Sequence, residues 1–179
     1  MNERRPFSAK SMFVFVLVTM LCLAVTGCSS RDYENTASIA QVYESHPDAF
    51  DAAAQAALAF AETGIYVRDH LEPWETSEDY VIQEMGQLYF ISRNTVEEND
   101  CLTLYNALVP VFENTDVSGV FPVSTPDKTW QIQFLLESSY GICAELYYTQ
   151  ASYEAPYVMQ ETVEKQQIGP NWAAVITSD

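Results

Sequence analysis

The chain's capacity for chemistry rests on few residues: four cysteines and two histidines among 179. Cys22 lies inside an apolar run, and Cys28 closes that run. Cys101 and Cys143 lie far downstream. In an oxidising compartment they could form one disulfide, closing a long loop and stabilising the fold by a few kcal/mol in the loop-entropy account. The alternative is two buried thiols, since sequence does not place their Cα atoms within the ~7 Å that a bridge needs. His46 precedes a proline, and His70 follows Arg68-Asp69. Neither stands at a metal-ligand spacing from another His or Cys. Asp69-His70 offers two members of a triad, but no Gly-x-Ser-x-Gly elbow supplies the nucleophile. The acidic run Glu97-Glu98-Asn99-Asp100 lacks the spaced oxygens and central glycine of a calcium loop. It suits a helix N-terminus, where the dipole favours negative charge. Glu137 and Glu145 flank an expected turn and could face each other as general acid and base, an arrangement many strand glutamates share without catalysing anything. No catalytic centre, metal set or cofactor site is expected. Tyr140, Tyr147, Tyr148, Tyr153 and Tyr157 crowd one stretch. Aromatic surfaces bind proteins and sugars well, so this stretch is the leading candidate for an interaction surface, with sheet filling as the plainer account.

The ends of the chain differ in charge. The formal net charge is −17, from 25 acids and 8 bases. Arg4, Arg5, Lys10 and Glu3 precede Cys28, so the part from Cys28 onward has 5 bases and 24 acids, a net −19. Such a body is repelled by nucleic acid phosphates and anionic headgroups, which argues against nucleic-acid binding. Its acidity is expected to serve solubility, or else a cationic partner or loosely held divalent ions.

Residues 1–28 have three parts: a basic head from Arg4 to Lys10, the uncharged run MFVFVLVTMLCLAV at 12–25, and Thr26-Gly27-Cys28. Spanning a bilayer takes about 20 apolar residues, so a run of 14 is too short to cross comfortably. Basic head, short apolar middle and small residues at the end make a secretory signal. Val25-Thr26-Gly27-Cys28 resembles the lipobox of bacterial lipoproteins: an aliphatic residue, two small residues, then cysteine. That resemblance implies a diacylglyceryl group on the Cys28 thiol and cleavage just before it. The expected organisation is a signal peptide at 1–27, a lipidated tether at 28–37 and one domain at 38–179. The body would then be lipid-anchored on the extracytoplasmic face of the cell membrane. Ser29 permits outer-membrane sorting if the host has two membranes.

The elements that must position these residues follow from periodicity. Residues 36–62 read helical, with Ser38 a cap for a short first piece and His46-Pro47 a break. Ser45 is a candidate cap for the second piece, whose stripe is Phe50, Ala53, Ala54, Ala57, Leu58 and Ala61. Gly64 fits the stop. Strands are expected at 65–67, at 80–82 and 87–91 (or as one strand bulged at Gly86), at 117–123, 130–134, 142–148 and 172–176. A further helix carries Leu104, Tyr105, Leu108, Val109 and Phe112, with Pro110 expected to kink it or end it early. Residues 150–170 read as long, polar and irregular. The expected fold class is α+β: an antiparallel sheet of five or six strands with two helical regions packed on one face. This order, with Ser139-Tyr140-Gly141-Ile142 and Asn171-Trp172, looks like small exported lipoproteins of low-GC Gram-positive bacteria, a likeness that implies no activity.

The functional expectation is therefore a non-enzymatic, membrane-tethered module binding a protein or glycan at the cell surface. An acidic inhibitor or immunity-type protein that neutralises a basic toxin or hydrolase is the second reading. A hydrolase is the third.

Overall fold

Asn35 starts the first helix, with its side-chain oxygen accepting from the Ser38 amide at 3.0 Å. The cap is thus Asn35 rather than Ser38, whose hydroxyl turns back to the Asn35 carbonyl. Helix α1 (Thr36–Ser45) ends at His46, which precedes proline and leaves the helical region. Helix α2 (Pro47–Ala59) begins with Pro47 in its first turn, where a missing N–H costs no intrahelical bond. Ser45 does not cap it. Its hydroxyl bonds the Val42 carbonyl at 2.7 Å instead. A short 3-10 turn (Ala61–Thr63) ends at Gly64, left-handed at φ +70°.

The computed structural model describes residues 33, 35–139, 141–150, 156–158 and 160–178. Strand β1 (Tyr66–Arg68) is followed by β2 (Val81–Met85) and β3 (Leu88–Ser92), which form a hairpin. Gly86 is therefore a turn residue, not a bulge, and takes the φ of +62° that the turn requires. Helix α3 (Glu98–Asn114) runs through Pro110 without ending. Val111 and Phe112, buried against the sheet, hold the last turn in place beyond the proline. The Thr115 hydroxyl then accepts the role of C-terminal donor to the Val111 carbonyl at 2.7 Å. Five more strands complete the chain: β4 (Gly119–Ser124), β5 (Trp130–Ser139), β6 (Ile142–Thr149), β7 (Glu161–Gln167) and β8 (Trp172–Ser178).

These form one antiparallel sheet of eight strands, ordered β2-β3-β1-β4-β5-β6-β8-β7, with three helices. The class is α+β as expected, but the sheet exceeds five or six strands. The unforeseen strand is β7, in the stretch read as irregular. All seven of its residues are exposed, so it buries no apolar face and carries no alternation to read. It holds its place by pairing with β8, and its charges blunt the sheet edge. Strand β5 also runs past the expected end at Phe134, through an irregularity between Leu135 and Glu137.

All three helices pack on one face. Helix α1 lies over β6, β8 and β7, α2 over β4 and β5, and α3 against α2 and β2. Trp172 anchors this core, with Tyr43, Tyr148, Phe134 and Phe50 rings at centroid distances of 4.9 to 5.8 Å. Its indole N–H, the one polar group of the ring, donates to Asp51 Oδ1 at 2.7 Å. Fully burying a ring or branched side chain of this size contributes about 1.5–3 kcal/mol.

Packing begins earlier than the expected domain start at 38. Tyr33 is 8% exposed and belongs to the core. Its hydroxyl donates to Asp116 Oδ2 at 3.1 Å. Thr36 is buried, its hydroxyl 2.6 Å from Glu164 Oε1 and 3.1 Å from Gln166 Oε1, both acceptors. The compact body is thus the unit Tyr33–Asp179. Among the described residues, no helix is long and apolar enough to cross a membrane.

Candidate functional site

Two polar constructions stand on the sheet face away from the helices. The first clamps the loop between β1 and β2. Arg68, 7% exposed, reaches Glu75 Oε1 with Nη1 at 3.4 Å and Glu72 Oε1 with Nη2 at 3.3 Å. Glu75 is fully buried, and its other oxygen accepts from the Glu72 amide at 2.7 Å. The guanidinium also lies over the Phe121 ring, 5.6 Å from its centroid, and Phe121 stacks on Tyr66. Burial, and then the Glu75 carboxylate beside it, raise the Tyr66 hydroxyl well above the ordinary tyrosine range. The clamp carries Trp74 outward, 54% exposed, with its ring edge on Tyr80 at 5.8 Å.

The second construction anchors residues 156–158. The Gln131 side chain pairs with the Tyr157 backbone in both directions: its amide donates to the Tyr157 carbonyl, and its oxygen accepts from the Tyr157 amide at 3.0 Å. Beside it, Val158 packs on Tyr147, Ala173 and Val175. Gln133 and Tyr147 both donate to the buried Glu145 carboxylate, the latter at 3.1 Å. Burial and then the Glu145 charge raise the Tyr147 hydroxyl far above its ordinary value.

Between Gln131, the β4–β5 turn and the end of β6 lies an open cleft of about 560 Å³. Trp130, Tyr157, Pro126 and Pro156 give it apolar walls, and Asp127, Thr129, Thr149 and Gln150 give it polar ones. The turn is stiff. The Thr125 and Thr129 hydroxyls and the Thr129 amide converge on Asp127 Oδ1, which lowers the Asp127 pKa below the usual carboxylate value. The Thr125 and Thr129 backbones pair at 2.9 Å, and Lys128 takes φ +66°.

Sequence had not singled out Trp130, Asp127 or Gln131 as site residues. The available signal was Thr125-Pro126-Asp127, a turn sequence between two apolar runs with Trp130 at its exit. Of the tyrosine-rich stretch, Tyr157 alone among the described residues reaches the cleft, 41% exposed. Tyr147 is buried and Tyr148 packs on Trp172. Tyr140 and Tyr153 lie outside the described residues, as does Cys28.

Comparison with known proteins gives no parallel: no family model, no curated protein and no solved structure matches this chain.

The remaining candidates do not converge. Cys101 sits in the first turn of α3, fully buried, with its thiol 3.4 Å from Gln83 Oε1 on β2. Cys143 is buried on β6, opposite Ser138 and Thr177. Strands β2 and β6 are five places apart in the sheet, roughly 24 Å at the usual strand spacing. The structure therefore holds Cys101 and Cys143 as separate thiols, and the disulfide is not formed. The His46 ring bonds its neighbour Ser45, at 2.8 Å. His70 is exposed between Asp69 at 2.5 Å and Glu72 at 3.3 Å, with no serine among its partners in the described residues. Glu98 and Asp100 occupy the first turn of α3, as the dipole favours. Glu137 pairs with Ala144 rather than with Glu145, so the two glutamates are not opposite each other in the ladder. Among the described residues, no three His, Cys, Asp or Glu side chains are placed to hold a metal ion.

Proposed function

We propose that this chain is an extracytoplasmic lipoprotein, anchored through Cys28, whose body binds a partner at the cell surface without catalysing a reaction on it. The cleft beside Trp130 carries the reading. It combines two aromatic rings with ordered hydroxyl, amide and carboxylate groups on a stiff turn. Specific sites are commonly built this way, with apolar walls for affinity and a few fixed polar groups for orientation. Among the described residues, no histidine, cysteine or paired carboxylates line it. Both a protein segment and a glycan suit such walls, and the net −19 of the body disfavours nucleic acid.

The inhibitor or immunity-type reading draws on that same acidity, which would speed association with a basic toxin or hydrolase. One experiment tests the proposal. A photo-crosslinking residue at Lys128 on intact cells should capture a protein or glycan with the wild-type cleft and lose it with Trp130→Ala. Identical recovery from both would overturn the cleft as the binding site.

A further inference from the structure

We infer that the end of the body around Tyr33 and Asp116 faces the lipid surface at close range, so that the Trp130 cleft points away from the membrane. This rests on the lipid-anchor reading and adds an orientation to it. Only residues 29–32 separate Cys28 from Tyr33. Tyr33 is no part of a tether, since its ring is buried and its hydroxyl is bonded to Asp116. Whatever path residues 29–32 take, the span from Cys28 to Tyr33 is at most about 17 Å. A folded body of this size is roughly 38 Å across. The tether is thus shorter than the body, and the far end cannot turn to the bilayer.

The strands say which end is far. Asp116 lies just before β4, and β4 runs from Gly119 to Ser124 into the turn at 125–129. At the usual rise per residue, that turn is about 20 Å further along the sheet. The cleft opens at this turn. Charge alone would favour the opposite arrangement on an anionic membrane. Asp69 and Asp116 line the groove at the near end, and Lys128 sits at the far turn. A few exposed charges add only a small, salt-screened attraction or repulsion near such a surface. They do not lengthen a covalent tether, so geometry decides.

The test uses the mature, lipidated protein on phosphatidylcholine vesicles. Single thiols are introduced as Asn114→Cys near Asp116 and Lys128→Cys at the far turn, each carrying a fluorophore. Cys101 and Cys143 are buried and stay unlabelled in the folded protein. Short-range energy transfer to a headgroup-labelled acceptor lipid should be about twofold or more stronger from position 114, because that site is within tether reach of the bilayer. A twelve-residue Gly-Ser insertion after Ser30 should shrink the difference, since the tether at full stretch then exceeds the width of the body. Equal transfer from both sites, or stronger transfer from 128, in protein that floats with the vesicles overturns the orientation alone. Protein that carries no lipid and fails to float overturns the anchor, and the orientation with it.

Discussion

Arg68 and Glu75, both buried, meet at 3.4 Å on the sheet face away from the helices and tie down the loop that carries Trp74. The geometry is loose for a strong pair, and the energy lies in not leaving either charge alone. Removing one partner of a buried pair costs about 3–5 kcal/mol, because the other stays desolvated without compensation. Glu75→Ala should therefore lower stability by up to about that amount in urea unfolding, since Arg68 keeps only the part-exposed Glu72 as a partner. Arg68→Met with Glu75→Leu should cost much less than Glu75→Ala. Equal losses would show that the loop, not the charge, carries the energy.

Gly86 meets two constraints at once. Its φ is +62°, and a Cβ there would lie 2.4 Å from the Tyr105 hydroxyl oxygen. Gly86→Ala should destabilise by about 1 kcal/mol from backbone strain alone, with the clash adding to it. Tyr105→Ala removes the clash but not the strain. In a double-mutant cycle the two losses should be less than additive, because the residues touch. Strict additivity would mean that Tyr105 swings aside at no cost.

Burial, and then the charge of Asp100, raise the Cys101 thiol from 9.0 to about 11. Between these values the folded state holds a proton that the unfolded chain has released. The unfolded state then binds fewer protons, and stability falls as pH rises. The contribution is whole below about pH 9 and is lost progressively toward pH 11. Urea midpoints measured from pH 8 to 10.5 should fall, and Cys101→Ala should flatten part of the fall. A companion experiment is alkylation without reductant. Both Cys101 and Cys143 should react on unfolding and resist reagent when folded, whereas a bridge would leave both unmodified.

Periodicity made the helices legible because each buries a stripe. Phe50, Ala53, Ala54 and Ala57 are all buried where the spacing predicts. The break at His46-Pro47 was equally plain, since sterics before proline are local. Strand β7 was not legible, because ETVEKQQ buries nothing and takes its structure from pairing with β8. Sequence also misplaced the start of the body. Tyr33 looks like one more residue of a polar tether until Asp116, 83 positions away, accepts its hydroxyl. The cleft depends on similar distant meetings, such as Gln131 with the Tyr157 backbone across 26 residues. Such contacts follow from the strand order β4-β5-β6-β8, which no local pattern encodes.

The proposed lipid anchor can be tested on its own. Each buried methylene contributes about 0.8 kcal/mol, and a single acyl chain gives only reversible attachment. A second chain or a basic patch must supply the rest. Arg31 is the only base in residues 28–35, and the body is strongly acidic. On the proposed reading, a two-chain lipid on Cys28 would therefore carry the attachment. Cys28→Ala should abolish labelling by a fatty-acid analogue in growing cells. The variant should also run as an uncut precursor or leave the membrane fraction. Arg31→Ala should change neither labelling nor membrane retention, because one exposed charge adds only about 1 kcal/mol to the hold. Normal labelling of Cys28→Ala would show that the thiol is not the acceptor, and with that the whole surface assignment would fail.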